Sequence, residues 1–205
     1  MMKILLFLCL FASMTLSAQD NVMLDKIKKK NAAYNAIECA FTQEKTIAAT
    51  NTKQHLAGTL YFERADKMAM HYTQPATDLL IINGTKFYMA RGTRKNLFDT
   101  SKNAPMFSLS NTLLNCMMGN LTDLAKQNNA DLATSKTTKY DVVTMTARKK
   151  AVRGYSKIML WYDVKDSSLC MMQMDEFAGN STLYTMVNKK TNGKIASDRF
   201  AVPKK

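Results

Sequence analysis

The chain has 205 residues with 46% hydrophobic and 22% charged side chains, enough apolar material for one well-packed domain and too short for two large ones. Twenty-nine Lys and Arg against 16 Asp and Glu give a formal charge of +13, which points to an anionic partner, either nucleic acid or a phospholipid surface. That composition excludes a disordered, charge-dominated chain.

Location decides between the two partners. Met1-Met2-Lys3 is a short positive start, Ile4 to Leu16 is an apolar run of thirteen residues, and Ser17-Ala18 supplies small residues before Gln19-Asp20. A membrane-spanning helix needs about 18 to 20 apolar residues. Residues 1–18 are therefore expected to be a secretory signal peptide cut near Ala18, leaving residues 19–205 as a single domain. Cleavage removes one Lys and leaves 28 Lys and Arg against 16 acidic residues, a charge of +12, and reduces 16 Met to 13. Export excludes nucleic acid as the partner. Cys39, Cys116 and Cys170 remain, a number that permits one disulfide with a free thiol or three thiols, at spacings too wide for a metal site.

In chain order, Asn21 to Ala36 reads as a helix, with Leu24, Ile27, Asn31 and Tyr34 at three- and four-residue spacing and Asp20 or Asn21 to cap it. From Ile37 the period becomes two. Leu60 and Phe62, then Met68, Met70 and Tyr72, fall on one side of the alternating stretch Gly58 to Tyr72. Leu79-Leu80-Ile81-Ile82, Asn83-Gly84 and Lys86-Phe87-Tyr88-Met89 form a hairpin signal, with Asn-Gly accepting positive φ. Pro105 reads as a break. After it, Ser108 or Ser110 is expected to cap a short helix carrying Leu113, Leu114, Met117 and Met118, ended by Gly119, with a second short helix over Leu121 to Gln127. Strands follow at Asp141–Arg148, Tyr155–Asp163, Leu169–Phe177, Leu183–Lys189 and Ile195–Ala201. Such short connections favour an antiparallel meander.

Four pieces in register carry a family resemblance. They are Phe41-Thr42-Gln43, Gly58-Thr59-Leu60-Tyr61-Phe62-Glu63-Arg64, Met70-His71-Tyr72-Thr73-Gln74-Pro75, and Leu79 to Gly84; a Phe200-x-x-Pro203 ending is also present. The chain resembles the LolA-like outer-membrane lipoprotein carrier proteins of Gram-negative bacteria, most closely over residues 24–119. The resemblance implies an α+β, mostly antiparallel fold: an incomplete, half-open β-barrel with an N-terminal helix and a helical lid over an apolar cavity. It implies a periplasmic carrier, not an enzyme, that shields acyl chains between an inner-membrane ABC release complex and an outer-membrane acceptor or the outer membrane itself. By the same resemblance Arg64 would hold the lid helices closed, although Ala65 stands where the family usually has proline.

The residues agree with a carrier. An acyl-chain site needs an adaptable apolar concavity, and Met is the unbranched, polarizable side chain suited to it. The expected cavity residues are Leu60, Phe62, Met68, Met70, Tyr72, Leu80, Ile82, Phe87, Met89, Leu160, Met172 and Met174, beneath a lid of Leu113, Leu114, Met117 and Met118. One chain of about fifteen CH2 groups represents roughly 12 kcal/mol of transfer, and three chains roughly 36, beyond the approximately 20 kcal/mol where non-covalent affinity saturates. A loose, movable enclosure that competes with a bilayer suits that chemistry better than a tight pocket. Catalysis has little support: His55 and His71 are the only histidines, with no nucleophile elbow, no His-x-x-x-His pair and no phosphate-binding glycine loop. Asp163, Asp166, Asp175 and Glu176 read as ordinary turn and strand-end carboxylates. No cofactor is expected, the cargo is an acylated lipoprotein, the alternative is a carrier or sensor of another amphiphile such as a phospholipid or glycolipid on the same fold, and the protein is expected to be a monomer. Lys28-Lys29-Lys30 and Arg148-Lys149-Lys150 are the densest basic clusters.

Overall fold

The structure is a computed structural model that describes residues 18–203. The expected signal peptide lies outside the described residues except for Ala18, the first residue of helix α1 (Ala18–Asn31). Strands β1 (Ala36–Ile47), β2 (Thr52–Glu63), β3 (Lys67–Gln74), β4 (Leu79–Asn83), β5 (Lys86–Arg91) and β6 (Arg94–Asp99) run as a meander from the centre of the sheet to one edge. Helices α2 (Ala104–Met118) and α3 (Leu121–Gln127) follow. Strands β7 (Ala130–Lys136), β8 (Tyr140–Ala147), β9 (Tyr155–Asp163), β10 (Leu169–Glu176) and β11 (Ser181–Thr191) then run from the opposite edge back to the centre, where β11 pairs with β1.

This order positions the helices. β6 and β7 are the two edges of an open eleven-stranded antiparallel sheet, so the chain joining them has to cross the sheet. A sheet of this width curls under its own twist, and the crossing segment closes over the hollow side. The main core lies there, between the hollow face and all three helices. A smaller core on the outer face gathers Tyr61, Ala69, Ile81, Tyr88 and Ala90 beneath Ile195 and Phe200.

Several local expectations shift. Helix α1 begins at Ala18 and ends at Asn31, short of Ala36, where Asn31 O accepts from Arg64 and the buried Asn31 side chain donates to Ile27 O and Ser167 O. Asp20 does not simply cap it: its carboxylate accepts from the backbone N and the hydroxyl of Thr134 on β7. Pro105 starts α2 instead of breaking the chain, since a proline in the first turn gives up an N–H that has no helical partner. Asn103 is the cap, its Oδ1 accepting from Met106 N at 3.2 Å, while Ser110 donates back to Phe107 O. In the β4–β5 hairpin Asn83 pairs with Lys86, so the turn is Gly84-Thr85 with the positive φ of 58° on Gly84 alone, one residue later than the Asn-Gly expectation.

Ile195–Ala201 is not a strand. It lies across the outer face against β3 and β4, with a 3-10 turn (Ser197–Phe200) that buries Phe200. Asn83 Nδ2 donates to Phe200 O, and the Arg199 guanidinium sits 5.3 Å from the Tyr61 ring centre. Among the described residues Cys39, Cys116 and Cys170 are all free thiols. Burial pushes the thiols of Cys39 and Cys116 up to about 12, which leaves them protonated and unreactive.

Candidate functional site

Antiparallel register assembles the hollow face row by row. Phe62, Met68, Ile82, Phe87 and Phe98 are successive cross-strand partners, and so are Leu60, Met70, Leu80 and Met89. On the other half of the sheet, Met172 faces Leu160 and Val143, and Met174 faces Ile158 and Met145. Leu60, Phe62, Met68, Met70, Leu80, Ile82, Phe87, Leu160, Met172 and Met174 are all buried in the one core, with Tyr72 and Met89 half-buried against it.

Helix α2 roofs this face. It carries no charged side chain. Leu113 and Met117 are buried beneath it, and Leu114 and Met118 pack half-buried at its flank. Its two ends differ. At the C-terminal end the Tyr162 hydroxyl, from inside the sheet, donates to Cys116 O at 2.7 Å, and Asn111 Nδ2 bonds Gln127 of α3. Gly119 ends the helix at φ 71° and touches α1 closely enough that a Cβ there would sit 3.0 Å from Ile27 Cγ2. At the N-terminal end Ala104, Pro105, Phe107 and Ser108 are exposed.

Arg64, at the end of β2, reaches α1. Its guanidinium donates to Asn31 O at 2.6 Å and to Tyr34 O at 3.2 Å, satisfying carbonyls at a helix C-terminus with a cation. Its backbone N also donates to Asn35 O, and the following Arg64–Ala65 peptide is cis. A second tie on α1 is Lys26 Nζ to the buried Asp141 carboxylate of β8 at 2.6 Å.

Space is unevenly distributed. At the centre, Phe41, Leu60, Met68, Met70, Met117, Met172, Tyr184 and Met186 close around a void of only about 10 Å³. An open volume of about 490 Å³ lies under the N-terminal half of α2, against Met145, Ala147, Tyr155 and Ile158 of the sheet and Phe177 in the turn after β10. None of the residues expected from the sequence to form the acyl-chain cavity lines it. Met145, Met186 and the first turns of α2 lie outside the set that the sequence singles out. Alternation along β8 and β11 was the available signal for the two Met, and Met106 and Leu109, three residues apart, for the helix.

The concavity has a polar margin. The Tyr72 hydroxyl donates to the buried Gln43 at 2.7 Å. Burial raises the phenols of Tyr72 and Tyr155 and pushes Tyr184 up to about 12, against an opposing pull from the Arg91 guanidinium that acts on all three. These phenols stay protonated and able to donate. The two histidines lie elsewhere: His71 stacks edge-on to Tyr61 on the outer face with Nε2 2.8 Å from Arg199 O, and His55 is 3.7 Å from Glu44.

Among the described residues no helix is long and apolar enough to cross a membrane. The fold is similar to a chain in the complex of MucA and MucB from Pseudomonas aeruginosa, at 11% identity and a TM-score of 0.55 over 91% of this chain and 62% of that one. It is similar to an uncharacterized conserved protein from Thermus thermophilus, at 10% identity and a TM-score of 0.53 over 91% and 95% of the two chains. A LolA superfamily protein from Nitrosomonas europaea aligns at 9% identity and a TM-score of 0.43 over 89% and 97%. At such identities these likenesses concern the fold alone. No curated protein matches the chain in sequence. Residues 32–203 match the family described as outer membrane lipoprotein carrier protein LolA, and the chain belongs to that family.

Proposed function

We propose that this protein is a periplasmic carrier that takes the acyl chains of lipoproteins between its hollow sheet face and α2, from an inner-membrane ABC release complex to the outer membrane or an acceptor there. In this reading residues 1–18 are removed near Ala18, residues 19–205 act as one monomeric domain, and no reaction is catalysed. The supporting observation is a cavity of about 490 Å³, largely apolar inside with charged side chains on its lining, roofed by a charge-free helix that is tied down at one end and exposed at the other.

That volume suits one ligand of ordinary small-molecule size, for which sites of roughly 300 to 1,000 Å³ are usual. Several acyl chains need more room, and the closed methionine-lined centre is where it would come from. Methionines at Met68, Met70, Met117, Met172 and Met186 repack with little penalty when the filling changes. Helix α2 then lifts from its exposed N-terminal end and pivots near Gly119 and Cys116. Arg64 acts at the pivot by holding the end of α1 against which Gly119 rests.

Arg64→Leu removes two bonds from a charged donor at a half-buried site, and a loss of about 1 to 3 kcal/mol is expected in denaturant unfolding. Release of bound cargo should change by more than that loss of stability explains. Cargo transfer identical to wild type would remove the pivot role. The carrier reading itself is tested by purifying the protein from cells and identifying what accompanies it by mass spectrometry. Acylated lipoproteins are expected; free phospholipid or glycolipid without any acylated protein would replace the cargo with another amphiphile.

A further inference from the structure

The open cavity has a mouth of particular composition. The segment joining β8 to β9, residues 148–154, reads Arg-Lys-Lys-Ala-Val-Arg-Gly, and Lys149, Ala151, Arg153 and Gly154 line the cavity beside Pro105, Met106 and Leu109 of α2. It is pinned at both ends: Arg148 N donates to Asn129 O and Arg148 Nε to Asp131 at 2.7 Å, while Phe177 N donates to Gly154 O. Between the pins Val152 is 92% exposed, and Phe107 on the facing turn of α2 is 54% exposed.

Charge at the mouth is one-sided. Asp131 is taken by Arg148, and Asp175 by Lys157 at 3.3 Å, which leaves Glu176 as the acidic group lining the cavity. Among the described residues Lys149, Lys150 and Arg153 make no ion pair. A projecting apolar side chain ringed by unpaired cations matches the interface of a bilayer with anionic headgroups, where cations bind phosphate and the apolar group enters the acyl boundary.

We propose that residues 148–154, with Phe107, dock the mouth of the cavity directly onto an anionic phospholipid bilayer, so that cargo passes between protein and membrane without crossing water. The purpose of such docking rests on the carrier reading, but the docking itself needs no cargo. In the α1 cluster Lys28 is paired with Asp123 at 3.3 Å, and the exposed Lys29 and Lys30, which do not line this cavity, serve as an internal control.

The test is sedimentation of the purified, cargo-free protein with vesicles of phosphatidylcholine containing phosphatidylglycerol, against vesicles of phosphatidylcholine alone. Binding is expected only to the anionic vesicles. Each cation near such a surface contributes about fivefold in affinity, so Lys149→Ala with Lys150→Ala should weaken binding roughly 25-fold. Val152→Ser should weaken it about tenfold with no change in charge. Lys29→Ala with Lys30→Ala should change it less than twofold, and all variants should keep the wild-type unfolding midpoint, since the altered side chains are exposed and make no ion pair among the described residues. Equal weakening by the two double variants would mean that net charge alone attracts the protein and would overturn the proposal. Indifference to Val152→Ser, or no binding to anionic vesicles, would overturn it too. Loss of lipoprotein from the purified protein would sink the carrier reading and leave these binding ratios untouched.

Discussion

Gly58→Ala is expected to lower stability by about 3 kcal/mol or more, a fall of roughly 6 to 12 °C in the unfolding midpoint for a chain of this size. A Cβ at Gly58 would lie 2.2 Å from His71 O and 2.8 Å from Tyr72 Cα. Both are backbone atoms of the neighbouring strand, so neither can turn aside as a flexible side chain would. The contact arises where the β2–β3 register shifts between Ala57 and Gly58, an irregularity that bends the strand and draws the two backbones together. Relieving the clash means separating β2 from β3, and those strands carry Leu60, Phe62, Met68, Met70 and Tyr72 on the hollow face. Gly193→Ala is the comparison: nothing lies within 4 Å of its added Cβ, and a change within about 0.5 kcal/mol is expected. Equal midpoints for the two variants would mean that the β2–β3 approach is not as close as described.

Leu113→Asp should open the roof without dissolving the sheet. Helix α2 has a cap at each end and accepts the Tyr162 hydroxyl at Cys116 O, but most of its hold on the sheet comes from burying Leu113 and Met117, each worth about 1.5 to 3 kcal/mol at most. An unpaired carboxylate under the helix costs several kcal/mol, comparable with the whole apolar attachment. Cargo retention is therefore expected to fall at least 30-fold, binding of an apolar dye to rise, and the far-ultraviolet β signal to persist. Phe107→Asp places the same charge on the exposed side of the same helix and should leave the roof closed. If Leu113→Asp retained cargo as well as Phe107→Asp does, α2 would not be the cover.

Much of the hollow face was legible because it rests on a period of two: once Leu60, Phe62, Met68 and Met70 are assigned to one side, register carries Leu80, Ile82, Phe87 and Met89 with them. The family resemblance supplied what alternation does not, namely that the sheet stays open and that the helical insertion crosses it. Strands β6 and β7 went unread. Their sequences Arg-Lys-Asn-Leu-Phe-Asp and Ala-Asp-Leu-Ala-Thr-Ser-Lys are largely exposed edges, where one face has no core to impose alternation. The helix ends were displaced because partners remote in sequence, Arg64 and Thr134, compete for groups that local capping rules assign to the helix itself. The open cavity was hidden for a different reason. Sequence marks which side chains are apolar, but whether Met68 or Met145 meets empty space depends on how far α2 settles, and α2 settles over its C-terminal half.

The most direct measurement is photo-crosslinking of a bound, acylated lipoprotein from single positions carrying a photoreactive side chain. Leu109 lines the open cavity and Met117 closes the centre, whereas Val187, adjacent to buried Met186, is exposed on the outer face. Adducts through the acyl chains are expected from positions 109 and 117 and none from 187. Adducts from 187 with none from 109 and 117 would place the cargo outside the half-barrel and contradict the role given to its hollow face.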